Sequence, residues 1–139
     1  MVSVGVFTET ELYTVLYIGT ELQVNFLIHK KMGHIKHHGI AVTSSINELI
    51  KEAHTKAKSI FNERVSNLLN SETNDYKSFF IAPDGSKEGW DESNKGNEQR
   101  AAFVKWVNSK KYEDGSNSIS FCEFFYGEDN GYCEIENHN

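Results

Sequence analysis

Ser45-Ile46-Asn47-Glu48-Leu49-Ile50-Lys51-Glu52-Ala53-His54-Thr55-Lys56-Ala57-Lys58-Ser59-Ile60-Phe61-Asn62-Glu63-Arg64-Val65-Ser66-Asn67-Leu68-Leu69 is the stretch that decides the fold. It opens with Ser-x-x-Glu, a capping box in which the Ser45 hydroxyl and the Glu48 carboxylate satisfy amides at a helix start. Ile46, Leu49, Ile50, Ala53, Ala57, Ile60, Phe61, Val65, Leu68 and Leu69 then recur in steps of three and four. That stripe predicts a long helix, about residues 45–71, lying across a sheet. His54 sits beside the stripe, at the boundary between core and solvent.

The sheet has to come from the flanks. Upstream, Leu12 to Ile18 and Leu22 to Ile28 read as strands joined through Gly19-Thr20-Glu21. Leu22, Val24, Phe26 and Ile28 alternate with Gln23 and Asn25, so one face is buried and the other wet. Lys30 to Gly33 reads as a turn, Ile35 to Val42 as a third strand of the same meander, and Val2 to Phe7 as a short edge strand.

Downstream, Tyr76 to Ala82 is an apolar run closed by the turn Pro83-Asp84-Gly85. A polar stretch, residues 84–97, surrounds Trp90, and a second, shorter helix is expected from Glu98 to Ser109, burying Ala102, Phe103, Trp106 and Val107. The end is a hairpin, Ile119 to Tyr126 and Tyr132 to Glu136, around Asn130-Gly131. Runs of neighbouring strands interrupted by two helices predict a single α+β domain over residues 1–139, with a largely antiparallel sheet.

At 139 residues with 38% hydrophobic and 24% charged side chains, the chain has enough core-forming surface for a globular protein. Met1 to Phe7 has no basic lead before its apolar residues and does not read as a secretory signal. No apolar run approaches the roughly 20 residues of a membrane helix, so no membrane partner is expected. Two cysteines make no disulfide framework. Cys122 and Cys133 project from one face but are offset by about 13–20 Å along the hairpin, too far to bridge. Buried reduced thiols and a cytoplasmic location follow.

Charge is unevenly spread. Residues 1–72 hold seven acidic and seven basic side chains, whereas residues 73–139 hold thirteen and seven and carry the whole net charge of −6. Nucleic acid, which needs a positive surface, is therefore not an expected partner. An acidic half suits a basic protein, for which charge speeds encounter and sets specificity; equally, it suits a face kept charged for solubility.

Five of the six histidines fall in the first 54 residues, four of them between His29 and His38. On a helix His34 and His38 could chelate together, but Gly33, Gly39 and Ile40-Ala41-Val42 make this segment strand. There the pair lies about 13 Å apart, and His37 and His38 face opposite sides. Only His29 and His34 remain opposite each other across the turn, roughly 5 Å between Cβ atoms. Two ligands are fewer than the four of a structural zinc site. A metal-assisted hydrolase or small-anion binder around His29 and His34, with Lys30, Lys31 and Lys36 nearby, is the alternative reading. A solvated basic hairpin without metal or cofactor is the preferred one.

Pro83-Asp84-Gly85-Ser86-Lys87 lacks the following acid-x-Lys strand of metal-dependent nucleases, and no phosphate loop, nucleophile elbow or paired zinc motif occurs. The polar stretch around Trp90 is more informative. An exposed Trp amid Asp84, Lys87, Glu88, Asp91 and Glu92 resembles a binding hot spot. The competing reading, which the rarity of exposed large aromatics favours, folds Trp90 back as a plug on the core. These residues make the expected function that of a non-catalytic protein-binding module, such as an inhibitor or immunity-type protein that masks a basic partner.

Overall fold

The computed structural model describes the backbone of the strands within residues 2–25, and residues 34–127 and 131–139 with their side chains. The chain forms two compact units, residues 1–32 and 33–139. The first is a three-stranded antiparallel meander of β1 (Val2–Thr8), β2 (Glu11–Ile18) and β3 (Glu21–Asn25), in that order. This matches the expected strands Val2 to Phe7, Leu12 to Ile18 and the first part of Leu22 to Ile28; Phe26 to Ile28 and the turn Lys30 to Gly33 lie outside the described residues.

The second unit is an antiparallel five-stranded sheet with two helices, so the fold class is α+β. Its strands are β4 (Lys36–Ser44), β5 (Leu69–Asn70), β6 (Lys77–Ile81), β7 (Ser120–Gly127) and β8 (Cys133–His138), ordered β5-β6-β4-β7-β8. The strand expected at residues 35–42 therefore does not extend the N-terminal meander. It becomes the centre of the other sheet, where Ile40 and Val42 are fully buried and pair with β6 on one side and β7 on the other. A strand apolar at alternate positions can close either sheet; long-range partners chose this one.

Helices α1 (Asn47–Phe61) and α2 (Asp91–Asn108) supply Ile50, Ala53, Ala57 and Phe61, and Phe103, Val104 and Val107, to one core with Phe79, Ile81 and Phe121 of the sheet. The helix expected to reach residue 71 stops at Phe61, because Asn62 turns to φ +53° and opens a short 3₁₀ turn, Asn62–Arg64. Beyond it the chain runs extended beside β6. The Ser66 amide donates to the Phe80 carbonyl, the Phe80 amide donates to the Ser66 hydroxyl, and Val65 bridges Ile81. The spacing of Val65 and Leu68 mimics a helix, but these residues fill the core from a strand-like segment. The capping box also fails. Ile46 is the N-cap, and the Ser44 hydroxyl, not that of Ser45, takes the Ile46 amide.

α2 departs in the other direction. It begins at Asp91, seven residues before the expected Glu98, so α2 with 18 residues is longer than α1 with 15. Ser93, Gly96, Arg100, Phe103, Val104 and Val107 form its buried stripe. Its first turn is built from small and polar residues that read as loop, yet Asp91 and Glu92 suit the positive end of the helix dipole. Among the described residues, no helix is long and apolar enough to cross a membrane.

Candidate functional site

Alternation along β7 puts Phe121, Glu123 and Phe125 on the face turned to the helices, so one carboxylate enters an otherwise apolar row. The stripe on α2 likewise carries one guanidinium, Arg100, inward. They meet: Arg100 Nε lies 3.2 Å from Glu123 Oε1, with Arg100 only 6% exposed. Arg100 also donates to the Asn97 side chain one turn back. Burial raises the Glu123 carboxyl above its ordinary value, and the neighbouring Glu136 adds to this, while Arg100 and His38 pull it down.

Around this pair lies a cleft of about 610 Å³ between α2 and the β7–β8 edge. Asn97, Ala101, Lys105 and Asn108 form its helix wall, and Glu136 and Asn137 its strand wall. The strand wall has a specific cause. Phe124 pairs with Ile135 and Glu123 with Asn137, leaving Glu136 as an extra residue in β8. Alternation from Glu134 already puts Glu136 on the cleft side, and the extra residue keeps Asn137 there as well, so that both line the cleft.

Glu136 reaches His38. The imidazole is held at both nitrogens: Nδ1 is 2.8 Å from Glu136 Oε2, and Nε2 is 2.8 Å from Glu88 Oε1. Glu88 is placed by its backbone, whose amide donates to the His34 carbonyl, beside a bridge between Lys87 and Ile35. His38 thus ties the segment before α2 to the edge strand. His37, one residue earlier, faces the other side and packs on Tyr126 at 5.0 Å between ring centres. The opposite facing of these two histidines is as the strand period requires.

The residues expected around Trp90 divide into three settings. Trp90 is the N-cap of α2 and 40% exposed, with the Lys87 ammonium 5.4 Å from its ring centre, so it is not the buried plug. Asp91 and Glu92 are exposed in the first turn of α2. Asp84 is turned the other way. Its carboxylate accepts from the Ser86 amide and hydroxyl, stands 4.0 Å from Arg64 Nη1 and abuts Gly96. Burial works against its charge, yet the Ser86 hydrogen bonds together with Arg64 and Arg100 hold the Asp84 carboxyl below its ordinary value. Arg64 is in turn shifted down, chiefly by burial, with Asp84 opposing. Asp84 is therefore an anchor for the turn Pro83-Asp84-Gly85, where Gly85 adopts φ +75°.

Of the earlier histidine pair, His29 lies outside the described residues, and His34 is exposed. Among the described residues, no three His, Cys, Asp or Glu side chains gather as a metal site. The cysteines are free and, as the register requires, four residues apart along the hairpin, with Cys133 opposite Tyr126. They are not buried as expected: Cys133 is exposed and Cys122 half-buried, because their face of the sheet is the one turned away from the helices.

Sequence reasoning weighed His38 only as a metal ligand and missed Glu136, Arg100 and Glu123. A signal existed for the last two: an Arg in the three-four stripe of one amphipathic helix and a Glu between two inward phenylalanines. Chemically, the cleft sets the Arg100–Glu123 ion pair beside the Glu136 carboxylate, which is hydrogen-bonded to His38, and the Lys105 ammonium. A carboxylate offers about four acceptor positions, so Glu88 and Glu136 can still take further donors. Compared with protein-family models, curated proteins and solved structures, the chain gives no match.

Proposed function

We propose that the chain is a small acidic protein-binding module that masks a basic partner, in the manner of an inhibitor or immunity-type protein. One observation carries this reading. Glu88 and Glu136, from segments far apart in sequence, are drawn together on His38, next to the α2 start where Asp91 and Glu92 are exposed. Four of the thirteen acidic residues of 73–139 thus lie in this region, with the half-exposed Trp90 as an aromatic anchor. Such a field accelerates encounter with a cationic surface and excludes acidic competitors. Free Cys122 and Cys133 support a cytoplasmic setting for this role.

The test is affinity capture from the native cell, with wild type beside Trp90→Ala and the double reversal Asp91→Lys/Glu92→Lys. The reading expects a basic protein, retained by wild type and lost by both variants. Equal capture by the variants, or an acidic captured protein, refutes it.

A further inference from the structure

β8 is the long edge of the five-stranded sheet. It lies at the end of the strand order, and all six of its residues are exposed. Among the described residues, no strand pairs with its outer side. Such an edge presents amides and carbonyls ready to pair with another chain. Its two faces differ in chemistry. Glu134, opposite the buried Phe125, and the bulged Glu136 belong to the cleft side; Cys133 and Ile135, opposite Tyr126 and Phe124, belong to the other side. Ile135 is 58% exposed. The cleft beside α2 runs along this edge, its helix wall made by side chains on successive turns.

Resting on the reading of the chain as an acidic module for a basic partner, we infer that the partner docks as an extended strand added to the outer edge of β8. Its alternate Lys or Arg side chains point toward Glu134, Glu136 and the cleft, and apolar side chains between them cover Ile135. The two-residue period of strands enforces this pattern, because side chains on one face must meet the same face of β8. β8 itself has no Lys or Arg, and on this side Glu123 and Glu136 of the cleft together with Glu134 outnumber Arg100 and Lys105 of the helix wall. A second copy of this chain is a poor occupant, since pairing two β8 edges brings four of these glutamates together. Like charges across a strand pair repel.

The experiment is a fluorescence-anisotropy titration of the full chain with three synthetic peptides of one composition. The first alternates Lys and Val. The second groups its lysines in one block. The third alternates but is N-methylated at every second amide, made in both phases. We expect the alternating peptide to bind at low salt, the block peptide to bind at least about tenfold more weakly, and methylation in one phase to abolish binding. Glu134→Lys, at an exposed position outside the His38 contacts, removes binding of the alternating peptide. If block and methylated peptides bind as well as the first, strand addition is wrong while the acidic-module reading stands. If no lysine peptide binds even at low salt, both fail. Sedimentation showing a wild-type dimer that Glu134→Lys dissolves also overturns the proposal, in favour of a second copy at this edge.

Discussion

Replacing Arg100 by Met keeps most of the side-chain volume on the buried face of α2 but removes the cation that, among the described residues, pairs with Glu123. Arg100 is almost wholly buried, and the Glu123 side chain is 12% exposed, with Glu136 close enough to repel it. Removing one partner of a buried pair leaves an uncompensated charge, at a cost of about 3–5 kcal/mol. Some water reaches Glu123 from the cleft, so roughly 2–4 kcal/mol is expected here.

The cost depends on pH with a definite sign. The native Glu123 carboxyl is already raised above its ordinary 4.5 by burial, and loss of Arg100 raises it further. A carboxyl raised in the native state binds its proton more tightly there than in the unfolded chain. The destabilisation is thus small below that ordinary value, grows as pH rises, and is complete above the native value. Urea unfolding followed by tryptophan fluorescence reports this unit alone, because Trp90 and Trp106 are the chain's two tryptophans and both lie in it. At about pH 8 the midpoint should fall by roughly 1–2 M, with a smaller fall near pH 5. Arg100→Met/Glu123→Gln should recover much of the loss, since no charge is then stranded. A midpoint unchanged at the higher pH, or a double variant less stable than the single one, refutes the reasoning.

Four other outcomes follow from particular contacts. Gly39→Ala places a methyl 2.9 Å from Phe80 and 3.1 Å from Phe124, which stack on each other, so thermal unfolding should show a loss of about 1–3 kcal/mol. Gly96→Ala, which on an open helix would stabilise by about 1 kcal/mol, should destabilise here, because the new methyl runs into the Asp84 carboxylate. His38→Ala releases Glu88 and Glu136 together, costing about 1–3 kcal/mol, and hydrogen exchange should speed up in residues 133–138 and around residue 88 but not in α1. Asp84, held below its ordinary 3.8, contributes stability above that value that is lost as pH falls through the lower native one; Asp84→Asn should flatten this acid limb of the stability curve.

Much of this fold is written in short-range pattern. The apolar run from Leu12 to Ile18, the alternation that starts at Leu22 and the apolar stripe from Ile50 to Phe61 each name their element unaided. What the pattern cannot supply is partner choice. Ile40 and Val42 would suit either sheet, and only contacts with Phe79, Ile81 and Phe121 decide between them. The failures at helix ends have one root. A single backbone turn at Asn62 ends α1 while the apolar spacing carries on, and Gly96 and Ser93 read as loop until their close packing is seen. The site was half legible. Glu88, Asp91, Glu92 and Trp90 were visible as a polar stretch around an aromatic. His38 and Glu136 join them only through long-range pairing, which sets β8 beside β7 and β7 beside β4.

The most direct test of the acidic recognition surface is the association rate of the captured partner with wild type and with Asp91→Lys/Glu92→Lys, measured at low and high salt. The account predicts a basic partner whose association with wild type slows steeply as salt rises, and a variant that associates at least about tenfold more slowly at low salt. Equal rates for the two proteins, insensitive to salt, would contradict it.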